Sequence, residues 1–399
     1  MRMTNATIRA VNGLTARWAA EVSGGTVFSA AGVWPLLGFL ADGAGGGARR
    51  ELAEAVGLPA DRAAAAAREV LAAAGALRGL ETALGLWTQR TLELREAWQA
   101  RLPAEAHGVL TGDPAADQQA LDAWAVERTG GLVERMPVAV RPDTEMVLAS
   151  ALALRTRWLR PFEETALTPE GGPWADRTLQ GLWRPSRVLD RVGVADTPRG
   201  HVTELKVLGD NALDVHLLLG EEGMTPGQVL AAGVDLLARR HPVVAGPQLP
   251  YGEVGPGLRV RRERRMTPEP PTLDVTTVAY GVTADHNLLE HHALFGLTTA
   301  RLDLPGHFPG ISALPLYVGS AGQSALARFG ARGFEAAAVT VIEMAAAGGA
   351  PPPLRYLTTT VEAVFDRPFG FLALHRHSRL VLAAGWVTDP EPFPEDEVT

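Results

Sequence analysis

The sequence predicts an α+β fold built as one large unit of 399 residues. Helix-forming residues dominate the first third, and strand-like apolar runs dominate from about residue 145. Two apolar segments that fit a β-hairpin close the chain. Length alone would allow two or three domains, but no internal repeat or clear linker divides the sequence. A single domain covering residues 1–399 is therefore expected.

Helices are predicted at four segments of the first third: Val33–Leu40, Ala48–Val56, Ala63–Leu77 and Asp117–Arg128. The first is an apolar run that ends in the glycine-rich stretch 42–47. The last places Leu121, Trp124 and Ala125 on one face and ends before Gly130, a typical helix stop. These patterns predict amphipathic or buried helices packed on a common core.

Strands are predicted at five segments: Met146–Leu154, Glu204–Val207, Ala212–Leu219, Phe369–Leu374 and Leu380–Val387. The last two are apolar at nearly every position, so the hairpin they form should be covered on both faces. The acidic, proline-rich tail at residues 390–399 is expected to be frayed.

Bulk composition excludes several classes of function. A formal net charge of −8 argues against a nucleic-acid-binding protein, and the absence of cysteine excludes disulfides and thiolate chemistry. The sequence shows neither a signal peptide nor a membrane-spanning stretch, so we expect a cytoplasmic monomer, with export by another route left open. Lys206 is the only lysine, which indicates a high-GC, bacterial genome.

The usual catalytic and metal-binding patterns are not found. The glycine-rich segment 43–47 lacks the ending of a phosphate-binding loop, and no G-x-S-x-G nucleophile turn occurs. His286, His291 and His292 lack the i, i+4 spacing of a helical zinc site and are interpreted as a solvated helix face. We therefore expect no catalytic residue, metal or cofactor.

Five arginines form a basic cluster at Arg259, Arg261, Arg262, Arg264 and Arg265. Such a cluster could hold a polyanion or an acidic partner. The preferred interpretation is a strand with one charged face, partly neutralised by Glu263.

The most informative segment is a run of small and β-branched residues near the C-terminus: Gly333, Phe334, Glu335, Ala336, Ala337, Ala338, Val339 and Thr340. A loop rich in Gly and Pro follows it. The run is too poor in large side chains to build a core, but Ala, Val and Thr fit a sheet without steric conflict. It therefore suits a loop that waits outside a sheet and later inserts into it.

Several segments resemble landmarks of the serpin family, in that family's order. They are Phe28–Ser29 with Trp34–Ala44, Trp124–Leu132, Val147–Leu152 with Arg157–Phe162, Phe308–Ser312, Gly333–Thr340 and Phe365–Phe371. The resemblance covers about residues 25 to 390 and implies a serpin-like fold. That fold has three β-sheets, eight or nine helices and an exposed reactive-centre loop at about residues 334–357.

The resemblance also implies a mechanism and roles. A protease cleaves the loop and is acylated, and the freed loop inserts into the main sheet, driven by strain in a metastable fold. Gly333 would be the pivot, and Trp158 would guard the breach where insertion begins. The shutter, the region below it where the sheet must open, would contain Ser29, Ser150 and Gln323. Here Gln323 and Ser150 take the places of the family's histidine and asparagine, and Gly32 that of a serine.

Two departures bear on function. Phe334 stands where the family usually has Thr or Ser, at the first position to be buried on insertion, so overpacking is expected there.

The loop is also long. Counting forward from Gly333 places the scissile bond at Ala347–Gly348, and counting back from Phe365 places it near Leu357–Thr358. Ala347 would suit a protease with a small pocket, and Arg355 a trypsin-like one. Prolines 351–353 resist insertion, which favours the forward count.

Three functional hypotheses follow. The first is a suicide inhibitor of serine or cysteine proteases, whose partner is a small-residue-specific or Arg-specific target protease. The second is a serpin fold that binds a partner without inhibition, which Phe334 and the proline-rich loop favour. The third, ranked last, is an enzyme of peptide or natural-product processing on the same fold.

Overall fold

A computed structural model describes residues 3–103, 105–334 and 356–394. Its described residues contain seven α-helices: α1 (Asn5–Ala20), α2 (Ala30–Gly43), α3 (Gly46–Val56), α4 (Ala60–Gly75), α5 (Glu96–Gln99), α6 (Pro114–Thr129) and α7 (Pro226–Leu237). All four helices predicted from the sequence are present. None of the helices in these ranges combines the length and apolarity needed to cross a membrane.

Helix ends follow local sequence signals. The Asp113 side chain caps α6 by accepting from the Ala115 N–H at 3.0 Å, and Gly130 ends the helix with φ of +61°. Thr225 and Gln228 form a capping box at the start of α7.

The described residues also contain four short 3-10 helices and twenty strands. The strands are β1 (Thr26–Phe28), β2 (Leu80–Gln89), β3 (His107–Leu110), β4 (Met146–Leu154), β5 (Thr156–Arg157), β6 (Glu163–Leu167), β7 (Leu179–Ser186), β8 (Val192–Thr197), β9 (Gly200–Leu208), β10 (Leu213–Gly220), β11 (Val243–Ala245), β12 (Gly252–Gly255), β13 (Leu258–Arg265), β14 (Thr272–Val278), β15 (Tyr280–Asn287), β16 (Ser320–Phe329), β17 (Gly333–Phe334), β18 (Tyr356–Val364), β19 (Phe369–His375) and β20 (Leu380–Val387). The five strands predicted from the sequence are among them.

The strands form three large sheets, as the resemblance implied. The seven-stranded sheet has the order β1-β20-β19-β10-β9-β8-β11, the six-stranded sheet β12-β13-β18-β14-β7-β6, and the five-stranded sheet β15-β16-β4-β2-β3. Strands β17 and β5 form a separate two-stranded ladder. The hairpin β19–β20 is buried on both faces, because its strands lie inside the seven-stranded sheet and α7 covers the outer face.

One junction in the five-stranded sheet differs from its neighbours. Strands β4 and β16 are adjacent and parallel, with Val147 opposite Ser320 and Leu152 opposite Ala325. The other strand pairs around them, β2 with β4 and β15 with β16, are antiparallel. An antiparallel strand could therefore fit between β4 and β16 and pair with both.

Three sequence-based expectations require correction. The seven α-helices of the described residues are fewer than the eight or nine expected. The segment carrying His291 and His292 forms consecutive turns, and His286 lies in β15, so these histidines share no helix face. The tail is anchored at least to residue 393, because the Phe393 N–H donates to Thr178 O at 3.0 Å.

Candidate functional site

The predicted pivot lies where the chain leaves the five-stranded sheet. After β16 the chain reverses, and the Gly330 N–H donates to Gly333 O at 3.0 Å. Gly333 and Phe334 then pair antiparallel with Arg157 and Thr156 of β5. A β-carbon on Gly333 would lie 2.4 Å from Thr156 O, so only glycine allows the two backbones to approach this closely.

Phe334 is already inside the protein. Its side chain is 1% exposed, and its ring centroid lies 6.0 Å from that of Phe371 on β19. The position that the family fills with Thr or Ser thus holds an aromatic ring in a site between sheets. With β4 and β16 still adjacent, the ring is packed against Phe371, and the overpacking expected on insertion stays a prediction.

Trp158, the residue expected at the breach, lies beside this hinge. Its indole N–H donates to Gly330 O at 2.8 Å, and its backbone N–H donates to Arg332 O at 2.9 Å. Its ring also packs on Phe329 with centroids 4.8 Å apart. Trp158 therefore holds the turn between β16 and β17 through both backbone and side chain.

Asp210 supports the other side of the hinge and was missed by the sequence analysis. Its carboxylate accepts from the Thr156 hydroxyl at 3.0 Å and from the Arg157 N–H at 3.1 Å. Both donors belong to β5, the strand on which the hinge pairs. The only sequence signal was the Gly209-Asp210-Asn211 turn, which gives no indication of this long-range contact.

The predicted shutter residues meet in one buried network. The Ser29 N–H donates to Gln323 Oε1 at 2.7 Å, and Gln323 Nε2 donates back to Ser29 O at 2.8 Å. Gln323 Nε2 also reaches Ser150 Oγ at 3.4 Å, and the Ser29 hydroxyl donates to Leu382 O. The network joins α2, β4, β16 and β20, and its longest bond is the one that links β4 to β16.

Gly32 completes this network by leaving space. A β-carbon at Gly32 would lie 2.8 Å from Ser150 Oγ and 3.3 Å from Gln323 Nε2. Glycine at position 32 and glutamine at position 323 therefore suit each other. Ser150 and the long Gln323 side chain occupy the volume that a side chain at position 32 would need.

Replacing Gln323 with alanine should destabilise the intact protein. The change leaves the buried N–H and C=O of Ser29 without their side-chain partner, which costs about 3 kcal/mol. For a chain of this size that corresponds to a fall in melting temperature of about 4 °C. Gln99→Ala, at an exposed position on α5, is the matched control and should leave the melting temperature unchanged. An unchanged melting temperature for Gln323→Ala would show that the network contributes no net stability.

His286 forms a further part of the shutter. It lies opposite Gln323 in the β15–β16 register, and its Nε2 donates to Val27 O at 2.8 Å. Burial lowers the pKa of His286 below its ordinary value of 6.5, and nearby His291 lowers it further, while the bond to Val27 and the charge of Asp285 oppose the shift. The folded protein therefore holds this imidazole neutral.

Acidification should weaken the fold through His286. Because the folded pKa is depressed, the unfolded state binds the proton first, and stability is lost as the pH falls below about 6.5. Melting temperatures measured between about pH 7.5 and about pH 5 should fall less steeply for His286→Gln than for the natural protein. His377→Gln, at an exposed turn position, should keep the original slope. Equal slopes in all three proteins would contradict the assignment.

The two ends of the loop region lie in different sheets. Phe334 belongs to the two-stranded ladder, whereas Tyr356 begins β18 in the six-stranded sheet. Leu357, the backward-count candidate, is 60% exposed but pairs with Arg264 of β13 inside that sheet. The remaining loop candidates lie outside the described residues: Glu335, Ala336, Ala337, Ala338, Val339, Thr340, Ala347, Gly348 and Arg355.

The arginine cluster lies on strand β13 and is partly neutralised, as interpreted from the sequence, but the strand alternation divides its arginines between two faces. Glu263 forms ion pairs with Arg261 and Arg265 of the same strand, and Glu253 pairs with Arg259 at 3.2 Å. Within the described ranges no group of three histidine or acidic side chains could hold a metal ion.

Comparison with known proteins agrees with this geometry. The family described as serpin (serine protease inhibitor) matches residues 8–171. Two proteins of rice (Oryza sativa subsp. japonica) match nearly the whole chain. Serpin-Z6C is 26% identical, and the alignment covers 93% of this chain and 92% of the rice protein. Serpin-Z8 is 25% identical, and the alignment covers 91% of this chain and 90% of the rice protein.

Solved structures show the same fold. The native state of tengpin, a thermophilic serpin, superposes with a TM-score of 0.71 at 13% identity and covers 96% of this chain and 94% of its own. Human thyroxine-binding globulin in complex with its ligand superposes with a TM-score of 0.70 at 17% identity. The superposition covers 97% of this chain and 99% of the globulin. These matches show that the chain has the serpin fold and is similar in sequence to members of the serpin family.

Proposed function

We propose that this protein is a serpin-type suicide inhibitor that traps a protease by inserting its cleaved loop between β4 and β16. The observation that carries the proposal is the β17–β5 ladder. Gly333 and Phe334 already run antiparallel to β5, which continues the line of β4, and they lie beside the end of β16. Extending the β17–β5 register beyond Phe334 would bring an inserted strand alongside β4, at the parallel junction.

Insertion would increase the hydrogen bonding of the sheet. It would replace one parallel ladder between β4 and β16 by two antiparallel ladders, each with better hydrogen-bond geometry. The residues that enter would follow the alternation set by buried Phe334. Ala336, Ala338 and Thr340 would then face the core, and Glu335, Ala337 and Val339 would face outward. Small inward-facing side chains suit a strand that inserts into an already folded sheet, since they require little rearrangement of the core packing.

The proposed scissile bond is Ala347–Gly348, with Arg355 as the second candidate. Leu357 is a poor candidate because its backbone is paired within the six-stranded sheet, and proteases bind their substrates as extended chains. A bond at Ala347 also leaves prolines 351–353 outside the inserted strand. The proposed partner is therefore a protease with a small specificity pocket.

The test is whether a protease is trapped covalently. The protein is incubated with elastase, subtilisin and trypsin, and a complex that survives denaturing electrophoresis is expected with elastase or subtilisin. Ala338→Arg, which would place a charge on the core side of the inserted strand, should give cleavage without a complex. Ala337→Arg is the matched control and should retain trapping, because its side chain would face outward. Cleavage without a complex in the unmodified protein would contradict inhibition.

A second function, partner binding without inhibition, is favoured by one observation. Phe334 is anchored against Phe371, so the hinge is fixed in a way that could slow insertion. This reading expects simple cleavage as a substrate, with no protease complex and no gain in thermal stability.

A further inference from the structure

A buried arginine without an acidic partner lies on β7, close to the hinge. Arg184 is 9% exposed, although arginine is rarely buried this deeply unless a carboxylate pairs with it. Its guanidinium carbon lies 4.1 Å from the centre of the Phe162 ring, and its Nη1 donates to Arg160 O. These contacts hold the side chain in place, but both partners are uncharged groups.

The positive charge of Arg184 is not compensated within the described residues. Its Nε is buried there without a hydrogen-bond partner, and Glu163 and Glu164 of the neighbouring strand β6 form no ion pair with it. An aromatic face and one carbonyl oxygen offset only part of the free energy that burial of a charge costs. A methionine would pack on Phe162 without that cost, so packing alone does not explain the arginine.

Two further guanidinium groups lie close to Arg184. Burial lowers the pKa of Arg184, the charges of Arg160 and Arg191 lower it further, and together they bring it to about 10. Arg160 is exposed and Arg191 is half-buried, and across the described chain neither forms an ion pair. Three cations therefore gather at one place in a protein whose formal net charge is −8.

The cluster is open to a ligand from the solvent side. The Nη2 of Arg184 makes no hydrogen bond to a described residue, yet it is not one of the fully buried unpaired atoms. It therefore reaches the surface, where Arg160 and Arg191 lie near enough to act on its charge. Guanidinium groups present their N–H donors in a planar fork that suits the oxygens of a phosphate.

We propose that Arg184, Arg160 and Arg191 bind a phosphate group. A phosphate carries a charge of about −1.5 to −2 near pH 7, so one ion compensates most of the local excess of positive charge. A carboxylate would supply a single negative charge and would leave more of that excess. The ligand class is therefore inorganic phosphate or a phosphate monoester.

The site is joined to the hinge through Phe162. The Phe162 N–H donates to Ala331 O at 2.8 Å, and its ring centroid lies 5.8 Å from that of Phe329 at the end of β16. A phosphate that fixes Arg184 on Phe162 would brace the hinge of the intact protein. Binding concerns the intact chain alone, so it does not require that the protein inhibits a protease.

The test measures phosphate binding by the intact full chain. Isothermal titration calorimetry compares inorganic phosphate with glycerol 3-phosphate, and with potassium chloride of equal ionic strength. Phosphate should bind, and chloride should not. Tighter binding of glycerol 3-phosphate would identify a monoester as the natural ligand, and weaker binding would identify the free ion. At a phosphate concentration of about 100 times Kd, the melting temperature should rise by about 3 °C.

Variants assign the site. Arg184→Met keeps an apolar side chain on Phe162 and removes the charge. It should abolish both phosphate binding and the phosphate-dependent rise in melting temperature, and in chloride it should melt no lower than the natural protein. Arg160→Gln, at an exposed position, should weaken phosphate binding about tenfold. Arg9→Gln, at an exposed position on α1, removes the same charge elsewhere and should bind phosphate like the natural protein.

Three results would overturn the proposal. The first is that phosphate does not bind, and the second is that Arg184→Met and Arg160→Gln bind it as tightly as Arg9→Gln. The third is a lower melting temperature of Arg184→Met in chloride, since that would show that Phe162 and the Arg160 carbonyl already satisfy the buried charge.

Discussion

Cleavage of the loop between Thr340 and Arg355 should raise the melting temperature of the protein by about 10 °C or more. The inserted strand would add about a dozen backbone hydrogen bonds between β4 and β16, worth on the order of 10 kcal/mol in total. Dividing by the unfolding entropy of a chain of this length gives the expected temperature shift. The measurement is thermal melting by circular dichroism before and after limited proteolysis with elastase or subtilisin.

The control for this prediction is Ala338→Arg cleaved in the same way. Its inward-facing charge should prevent insertion, so cleavage should leave its melting temperature unchanged or lower. Stabilisation of the natural protein without a protease complex would mean that the loop inserts too slowly to trap the protease. No stabilisation after complete cleavage would contradict insertion and favour the non-inhibitory reading.

Replacing Phe334 with aspartate should abolish both the stabilisation on cleavage and the trapping of a protease. The change would place a carboxylate in a site where the natural ring is 1% exposed and contacts Phe371. Burying an unpaired charge costs several kcal/mol, so the hinge would leave the site and the strand would have no starting point. Because only the short β17 ladder is lost directly, the intact variant should still fold.

The matched control is Arg332→Asp. Arg332 is exposed and lies two residues before Phe334, so the same carboxylate there remains in solvent. This variant should keep both cleavage-induced stabilisation and complex formation. If Phe334→Asp behaves like Arg332→Asp in both assays, the buried hinge has no part in insertion.

Local sequence predicted some of the elements that carry the hinge and shutter, but not the strands β5, β15, β16 and β17. The apolar run Met146–Leu154 is β4, and the two apolar segments near the C-terminus are β19 and β20. These predictions succeeded because a strand buried on both faces has almost no freedom of composition. The turns around His291 were mistaken for a helix because a short segment does not give enough positions to establish a helical period.

Side-chain partnerships were less accessible to sequence reasoning. The sequence suggested that Gln323 and Ser150 could rebuild a network, but it did not indicate that Ser29 would bind Gln323 through both its N–H and its C=O. Asp210 bonds to β5 across more than 50 positions of sequence, and His286 lies opposite Gln323 in a ladder. Such contacts depend on strand register, which local patterns do not specify.

The sequence by itself therefore determined the α+β class, four of the helices and five of the strands, and a small-residue segment suited to a sheet. These properties depend on local composition and on the alternation of apolar residues. Only the tertiary structure decided that Phe334 is packed in the core, that β4 and β16 are parallel neighbours, and that Ser29, Ser150 and Gln323 meet in one buried network. Packing volume and electrostatic pairing depend on which distant residues come together, and the fold alone fixes that arrangement.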